Sequence, residues 1–384
     1  MTCQRDFTLS EEILSSISQN GLEALPEAMT VILNAAMQFE RQKYLGAQPY
    51  ERTPDRQDYA NGYKSKTVLT RSGLLTLDIP QVRSSEFYPS ALEKGTRSEK
   101  ALNLTIAEMY VQGVSTRKVA SICEKLCGTG VSSTQVSHLS QQLDATFESW
   151  RTRPIGEMRY LYFDAMYEKV RMGGKVDTAA VLIASGVGTD GKRQILGVSV
   201  SLSEHESHWR AFFKSLVARG LTGIHLITSD AHSGLQAARQ AVFGGVPWQR
   251  CQFHLQQNAQ AYVPRQEMRT EVARDIRCIY NSRDLSEANE QLRKCIDKYA
   301  KPVPKLADWM EKNIPEGLTV FAFPEAHRRL LRTSNSLERL NKEVRRRTRV
   351  VGLFPNEAAC LRLISGVLME ISEDWETGKV YLTL

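Results

Sequence analysis

Residues 221–258, LTGIHLITSDAHSGLQAARQAVFGGVPWQRCQFHLQQN, change pattern sharply near their middle. The first part is β-branched and apolar, and it ends in a polar run around Asp230. Apolar residues then recur at helical spacing, so the stretch predicts a strand, a loop and a helix. Side chains at the carboxyl end of such a strand face the crevice of an open α/β sheet, which would give Asp230 a functional position. The alternative is ordinary helix capping by Asp230.

Composition places the chain among globular proteins with a sizeable core. It has 384 residues, of which 42% are hydrophobic and 24% are charged. Apolar runs are too short to cross a bilayer and residues 1–14 do not resemble a signal peptide, so we expect a cytoplasmic protein without a membrane partner. The seven cysteines are an odd number scattered along the chain, which favours reduced thiols over a disulfide framework.

The balance of charge suggests a polyanionic partner. The net charge is +7, and this alone is a weak signal. Its distribution is more informative, because arginines crowd residues 328–349 with few acids among them. Within this segment the residues of interest are Lys342, Arg345, Arg346 and Arg349.

The N-terminal region, residues 1–97, predicts one helix and a small hairpin. Residues 26–45 have helical spacing of apolar residues, with Pro26 suited to the first turn. Residues 68–79 alternate like two strands around a Ser-Gly turn. The preceding basic loop contains Tyr59 and Tyr63, which could contact a DNA backbone; a solvated loop is the simpler interpretation.

Residues 98–152 predict three short helices. The first stops at Gly113, Ser115 caps the second and Ser133 caps the third. Short helices separated by caps and glycines in this way suggest a helix-turn-helix DNA-binding domain, and a plain three-helix bundle is the alternative. The third helix would turn outward the side chains able to hydrogen-bond base edges. These are Gln135, His138 and Gln142.

From residue 158 the pattern changes to strands. Residues 160–171, 179–186 and 195–202 predict a meander of three strands, and the first contains the acid Asp164 among aromatic and apolar residues. Burying an acid is costly unless it is paired or bound to a metal. Asp164 is therefore a candidate metal ligand, with a buried pair to Lys169 or Arg171 as the alternative.

Four further elements follow: a helix over 206–219, the strand before Asp230, the helix after Asp230, and a strand over 248–254. This order resembles the RNase H-like fold, in which the first and fourth strands lie side by side and each contributes an aspartate to a metal site. We therefore expect an α/β fold with a mixed sheet whose RNase H-like core has a first part at 155–256 and a second part at 331–384. Residues 257–330 would form an all-helical insertion, because no strand pattern is evident there.

The segment SNSLERLNKEVRRRTR, residues 334–349, predicts a helix capped by Ser334 or Ser336. Its apolar stripe is Leu337, Leu340 and Val344, while Glu338 shares another face with basic residues. An exposed i, i+4 pair between Glu338 and Lys342 would contribute only a few tenths of a kcal/mol, about 0.3. The functional interpretation is a third metal ligand beside phosphate-binding cations. A final helix would begin after Asn356.

Several separated motifs together resemble the Mutator-type family of bacterial insertion-sequence transposases. They are LYFDAMYEKVR around Asp164, LITSDAHSGL around Asp230, WQRCQFHLQQN, and TSNSLERLNKEVRRRTRVVGLFPNEAACLRLI around Glu338. The resemblance extends to NGYKSKTVLTRSGLLTLDIPQVR and GVSTRKVASI, and so covers nearly the whole chain. The basic residue after the glutamate is present as Arg345.

This resemblance implies a DDE transposase with Asp164, Asp230 and Glu338 as catalytic metal ligands. Carboxylate oxygens favour Mg²⁺ or Mn²⁺, and two ions about 4 Å apart can activate a nucleophile and stabilise a leaving oxygen. Water would free a 3′-hydroxyl at the element end, and this hydroxyl would attack a target strand. The implied partners are terminal inverted repeats, target DNA and further copies of the chain, as a homodimer or a higher oligomer. When bound to DNA, the protein would associate with the nucleoid.

Cys251 and His254 match the family's Cys-x-x-His signature. Zinc normally needs four ligands, and only Cys278, Cys295 and His327 are distant candidates for the others. We favour a structural role for the pair near the active site.

Two rival functions use parts of the same pattern. An RNase H-like nuclease or resolvase would use the same acids without strand transfer, but the helix-turn-helix, the insertion and the Cys-x-x-His signature argue against it. A noncatalytic DNA-binding protein derived from a transposase would not need all three acids, and these are intact.

Overall fold

A computed structural model of the chain describes residues 11–47, 51, 53–84, 86–92, 94, 98–128 and 130–383. Residues 1–10 with Cys3, and the side chain of Ser336, lie outside the described part. The chain divides into two compact units. The first is Met1–Tyr110 with Val114–Gln142, and the second is Val111–Gly113 with Leu143–Leu384.

The first unit combines helices with a two-stranded antiparallel hairpin. The hairpin is longer than the predicted 68–79, because hydrogen bonding extends the register from Thr70 opposite Gly73 to Ala60 opposite Val82. Leu75, Leu77 and Ile79 are buried on one face, as their alternation predicts. The elements are α1 (Glu11–Asn20), α2 (Leu25–Leu45), β1 (Ala60–Thr70), β2 (Gly73–Val82), α3 (Lys100–Val111), α4 (Thr116–Cys127) and α5 (Ser133–Ser140).

Side-chain caps fix the ends of the short helices. The Ser115 side chain accepts the Lys118 N–H and caps α4 as predicted. The prediction that Ser133 caps the third helix is wrong by one residue, since Ser132 caps α5 and forms a reciprocal capping box with Gln135. That helix also ends earlier than predicted: a 3-10 turn, Gln141–Leu143, and a further helix, α6 (Asp144–Thr152), follow it.

The second unit is built on a five-stranded mixed sheet in the order β5-β4-β3-β6-β7. β3 pairs antiparallel with β4 and parallel with β6, and the pairs β4–β5 and β6–β7 are antiparallel and parallel, respectively. The strand containing Asp164 is therefore the direct neighbour of the strand that precedes Asp230. The strands are β3 (Met158–Met172), β4 (Lys175–Gly188), β5 (Arg193–Ser201), β6 (Leu226–Ser229) and β7 (Trp248–Arg250).

Helices cover both faces of this sheet, and alternate residues of β3 serve different layers. Leu161 and Phe163 pack with Trp209 and Leu235 from α7 (Glu206–Ala218) and α8 (Ser233–Phe243). Tyr162 and Met166 point the other way, into a core shared with the remaining helices. Those helices are α9 (Gln252–Ala259), α10 (Gln266–Tyr280), α11 (Leu285–Ala300), α12 (Pro304–Asn313), α13 (Glu325–Leu331), α14 (Asn335–Thr348) and α15 (Glu357–Thr377).

The end of β7 differs from the predicted strand over 248–254. The strand stops at Arg250, Cys251 is the N-cap residue of α9, and His254 lies in the first turn of that helix. Between α9 and α13 the described residues contain helices and 3-10 turns without a strand, in agreement with an all-helical segment. Gln249 anchors this segment, because its amide donates to the Gly317 carbonyl and accepts the Val320 N–H.

The last two helices begin as the sequence indicates. Asn356 caps α15 by accepting the Ala359 N–H. Ser334 occupies the N-cap position of α14, but its side chain makes no capping hydrogen bond and is used elsewhere. Within the described part of the chain, no helix is both long enough and apolar enough to span a membrane.

Candidate active site

Asp164 and Asp230 come from neighbouring parallel strands. Asp164 lies within β3, and Asp230 directly follows β6. The two strands are in register with Tyr162 opposite Thr228, so both aspartates lie two residues beyond this pair. Asp230 accepts the His232 N–H at 3.2 Å, but the N-cap residue of α8 is His232 itself. Asp230 is therefore a loop carboxylate rather than the cap of α8.

The same two strands fix the start of α14. The Tyr162 hydroxyl of β3 donates to the Leu330 carbonyl, and the Thr228 hydroxyl of β6 donates to the Leu331 carbonyl. Both carbonyls lie at the end of α13, shortly before α14 begins. The apolar stripe of α14, including Leu337, is buried in the core on that face of the sheet. These contacts hold Glu338, one residue along, over the edge that carries the aspartates.

Asp164 is a buried carboxylate with an amide partner. It is 8% exposed, and its Oδ2 accepts from Asn341 Nδ2 at 2.7 Å. This amide takes the place of the cationic partners that the alternative interpretation required, Lys169 or Arg171. Burial, followed by charge repulsion from Asp230 and Glu338, raises the pKa of Asp164 to about 7, against the opposing effects of His254 and the Ala165 N–H. Asp230 and Glu338 therefore both act electrostatically on Asp164.

Glu338 has an oxygen that lacks a partner. Within the described part of the chain, Glu338 Oε1 and Asn341 Oδ1 are buried and make no hydrogen bond. The His254 imidazole lies near Glu338, with Nε2 3.9 Å from Oε1. Orphaned oxygens beside mutually repelling carboxylates are what a bound cation would satisfy, because a cation supplies the missing charge and coordination.

Cys251 and His254 line the same site. Cys251 is fully buried, and its Sγ accepts from both the backbone N–H and the hydroxyl of Ser334. Burial would raise the pKa of the thiol, but the interactions with His254 and Ser334 outweigh it and lower that pKa. The interaction with Cys251 in turn raises the pKa of His254 to about 9, against the opposing effect of burial.

One metal-ligand group is evident among the described residues, and it was not predicted as a set. Donor atoms of Cys251, His254 and Glu338 lie within 4.8 Å of one another. Glu338 thus stands beside the Cys-x-x-His pair, where the sequence had offered only distant candidates. Those candidates do not belong to this group: Cys278 is exposed, Cys295 is buried in the helical core, and His327 contacts Tyr160 and the Thr383 carbonyl.

Two residues of the site are not identified by the sequence pattern. Asn341 binds Asp164, and Ser334 binds Cys251. A signal for Asn341 existed, because it follows Glu338 by three residues and so shares its side of α14. Ser334 was recognised only as a possible cap, and nothing local in the sequence distinguishes that role from binding a distant thiol.

The arginines of α14 divide into two kinds. Lys342, Arg345, Arg346 and Arg349 are exposed, as expected of phosphate-binding residues, although Arg346 also forms an ion pair with Glu343. Arg347 is buried and bonded to Glu343, Gln112 and Glu370. The arginine-rich run is therefore partly a surface and partly internal structure.

The three residues predicted to read bases are exposed but not equivalent. His138 lies on α5 with its side chain in solvent. Gln135 uses its side-chain oxygen to accept the Ser132 N–H in the capping box, and Gln142 lies in the 3-10 turn beyond α5. The expectation that all three share one face of a single helix is wrong, because the helix ends at Ser140.

Comparison with known proteins relates the chain to transposases along nearly its whole length. A family model described as "Transposase, Mutator family" matches residues 1–378. The transposase for insertion sequence element IS406 of Burkholderia multivorans is 55% identical, over 97% of this chain and 96% of that protein. The transposase for ISRM5 of Rhizobium meliloti is 41% identical, over 100% of this chain and 96% of that protein. A chain from a simian T-cell lymphotropic virus intasome complex aligns at 10% identity with a TM-score of 0.19, over 53% of this chain and 64% of that chain, too little to inform on the fold.

Proposed function

This chain belongs to the Mutator family of transposases, and we propose that it binds the terminal inverted repeats of its insertion sequence and catalyses metal-dependent strand cleavage and strand transfer. Asp164, Asp230 and Glu338 would be the catalytic residues. The observation that carries this proposal is their convergence: Asp230 and Glu338, from distant parts of the chain, both raise the pKa of the buried Asp164, which burial and these acids together bring to about 7.

The residues of the site fit a divalent cation. Asp164, Asp230 and Glu338 would hold one or two Mg²⁺ or Mn²⁺ ions, because hard carboxylate oxygens suit these metals. When bound, a pair of such ions activates a nucleophile and stabilises the leaving oxygen of an in-line phosphodiester displacement. Asn341 acts through Asp164 by fixing the orientation of its carboxylate with a 2.7 Å hydrogen bond.

The remaining residues would bind DNA or support the site. Lys342, Arg345 and Arg349 are exposed on the helix that carries Glu338, where they can neutralise phosphates beside the reacting bond. Cys251 would keep a structural role, because its sulfur ties the start of α9 to Ser334 at the start of α14. In this way the Cys-x-x-His signature would hold His254 and Glu338 in place.

The domain assignment is part of the same proposal. Residues 155–256 and 331–384 would form an RNase H-like core, residues 257–330 an insertion, and residues 98–152 a helix-turn-helix domain that follows an N-terminal region, 1–97. Two capped helices, α4 and α5, support the helix-turn-helix. His138 and Gln142 would read bases in the terminal repeats, while Gln135 contributes less because its oxygen is engaged in the cap.

The partners would be the element ends, target DNA and further copies of the chain. A transposase joins two ends, so we propose a homodimer or a higher oligomer in the complex that brings them together. The protein would act in the cytoplasm, on the nucleoid.

Substitution of the aspartates tests the proposal. Asp164→Asn and Asp230→Asn are nearly isosteric, so we expect a folded protein that binds a terminal-repeat duplex and no longer cleaves it in Mg²⁺. Removing like-charge repulsion should leave the melting temperature of the metal-free protein unchanged or raised. Asp177→Asn is the matched control, because Asp177 is an exposed acid of the neighbouring strand β4. Retained cleavage by either site variant would remove that aspartate from the active site.

A further inference from the structure

A groove beside the candidate active site has the chemistry of a nucleotide-binding surface. It encloses about 370 Å³ between the α9 segment and α10. Amides, two guanidinium groups and one aromatic ring line it, and no acid is among the lining residues that the structure describes. The lining is Phe253, Gln256, Gln257, Gln260, Arg269, Thr270, Ala273 and Arg277.

Phe253 links this groove to the catalytic residues. Its side chain is 45% exposed, although an apolar ring of this size gains free energy by burial. Its ring lies 5.6 Å from the ring of His254, in an edge-to-face arrangement. His254 is in turn 3.9 Å from Glu338, so the exposed ring belongs to the residue next to one that contacts the candidate active site. A base unstacked near the scissile phosphate could stack on it.

Gln260 supplies a second, independent sign that a polar ligand belongs here. Both its amide nitrogen and its amide oxygen are buried, and neither has a hydrogen-bond partner among the described residues. Leaving both atoms unsatisfied costs free energy, which a polar ligand would recover once the side chain turns into the groove that it lines. A nucleotide base offers both donors and acceptors on its edges, as an amide requires.

The charge of the groove suits a phosphate backbone. Two acids of α10, Glu271 and Asp275, form ion pairs with Lys298 rather than with Arg269 or Arg277. The cavity on the Asp230 side, of about 670 Å³, is different because its lining contains Glu204 and Glu206. Phosphates would be attracted to the first cavity, whereas no lysine or arginine is among the described residues that line the second.

We propose that the groove between α9 and α10 binds an unpaired stretch of DNA next to the cleaved bond, with Phe253 stacking on a base and Arg269 and Arg277 contacting phosphates. This inference rests on the proposed transposase function and names the form of DNA that the site takes. A single strand fits better than a duplex, because base stacking on Phe253 requires a base that has left the helix.

Binding of two matched probes to the full-length protein tests this inference. The probes are a blunt DNA duplex and the same duplex with a short single-stranded thymidine overhang, in a chelating buffer so that no cleavage occurs. We expect the wild type to prefer the overhang. Phe253→Ala should lose about tenfold in affinity for the overhang probe, the effect of one lost base stack, and nothing for the blunt probe. An equal loss on both probes, or none on either, would overturn the proposal.

Two further variants keep the test independent of folding defects. Phe253→Trp should retain the preference for the overhang, and the fluorescence of the new indole should be quenched by the overhang probe but not by the blunt one. Arg277→Ala should lower the slope of log affinity against log salt for the overhang probe by about one unit. Arg274→Ala is its control, because Arg274 is exposed on the same helix but does not line the groove. Equal slopes for the two arginine variants, or an unquenched indole, would contradict the inference.

Failure of the groove assignment and failure of the proposed transposase site can be distinguished. If Phe253→Ala binds both probes normally while Asp164→Asn abolishes cleavage, the groove assignment fails and the transposase site stands. If Asp164→Asn cleaves normally, the active-site proposal fails whatever Phe253 does.

Discussion

The two ends of α14 carry acidic side chains in opposite situations. Near the first turn, Glu338 has a buried oxygen without a hydrogen-bond partner in the described part of the chain. Near the last turn, Glu343 forms ion pairs with Arg346 and Arg347, and Arg347 is bonded in addition to Glu370. The same helix thus contains one carboxylate with an oxygen that makes no hydrogen bond and one carboxylate that forms ion pairs with two arginines.

Ionisation follows the same division. Hydrogen bonds from Arg346, followed by those from Arg347, lower the pKa of Glu343 to about 2, although burial opposes them. Burial and neighbouring acids raise the pKa of Asp164, the residue opposite Glu338, to about 7. An acid held by arginines, such as Glu343, stabilises the fold, whereas a buried acid repelled by its neighbours, such as Asp164, persists where a ligand or a reaction requires it. The comparison predicts different consequences for substitutions only five residues apart.

The largest expected effect is that of Glu338→Gln. The substitution keeps side-chain length and helix propensity but removes the anionic oxygen, so cleavage and strand transfer should both fall by orders of magnitude. DNA binding should survive, because the exposed arginines remain. Glu343→Gln on the same helix is the control: it should keep cleavage and lower the melting temperature. A cleavage assay on a terminal-repeat duplex and a thermal melt of both variants make the measurement; near-normal cleavage by Glu338→Gln would reduce the site to two aspartates.

The second prediction concerns the stability of the metal-free protein against pH. The pKa of Asp164 is raised from 3.8 to about 7, so between these values the folded state binds more protons than the unfolded state and stability falls as pH rises. The pKa of His254 is raised from 6.5 to about 9, and its stabilising contribution is lost as pH rises through that value. Denaturant unfolding in a chelating buffer should therefore show stability declining from about pH 4 to about pH 9.

Controls separate this decline from the other end of α14. Asp164→Asn should reduce the decline of stability with pH in the range below about pH 7, where the carboxyl of Asp164 titrates. Mg²⁺ should oppose the loss of stability as pH rises, because a bound cation favours the ionised carboxylates. Glu343 has the opposite sign, since its lowered pKa gives stability that is present above its unfolded value of 4.5 and lost as pH falls towards about 2. A metal-free stability that rises between neutral and alkaline pH would contradict the arrangement of the site.

The sequence predicted those parts of the site that depend on local pattern. An aromatic and apolar run predicts β3 and its buried Asp164, helical spacing predicts the stripe of Leu337 and Leu340, and Asn356 marks the start of α15. The remaining features depend on residues brought together by folding. Local pattern did not show that β7 ends at Arg250, because Cys251 caps α9 and its sulfur bonds to a residue far along the chain.

The same limit applies to the arginine-rich run. Arg345 is exposed and Arg347 is buried, although only Arg346 separates them in the sequence. Their roles differ because successive residues of an α-helix are rotated by about 100°, so that the two side chains lie on different sides of α14. Which side faces the interior follows from packing on β3 and α15. The buried partners of Arg347, Gln112 and Glu370, lie in remote segments, so the sequence gives no local sign of them.

The smallest predicted effect uses this difference between the arginines. Arg345→Ala removes an exposed cation near the site, so binding to a terminal-repeat duplex should weaken by about 1 kcal/mol and the salt slope should fall by about one unit, with an unchanged melting temperature. Arg347→Ala should do the reverse: it leaves the slope unaltered but lowers stability by about 1 to 2 kcal/mol, because Glu343 and Glu370, which are partly exposed, lose a hydrogen-bonded cationic partner. Binding isotherms over a salt series and denaturant unfolding of both variants distinguish the two. If Arg347→Ala changed the slope and Arg345→Ala did not, the buried arginine would be the one that meets DNA, and the division of α14 into a DNA-facing surface and an internal ion-pair network would be wrong.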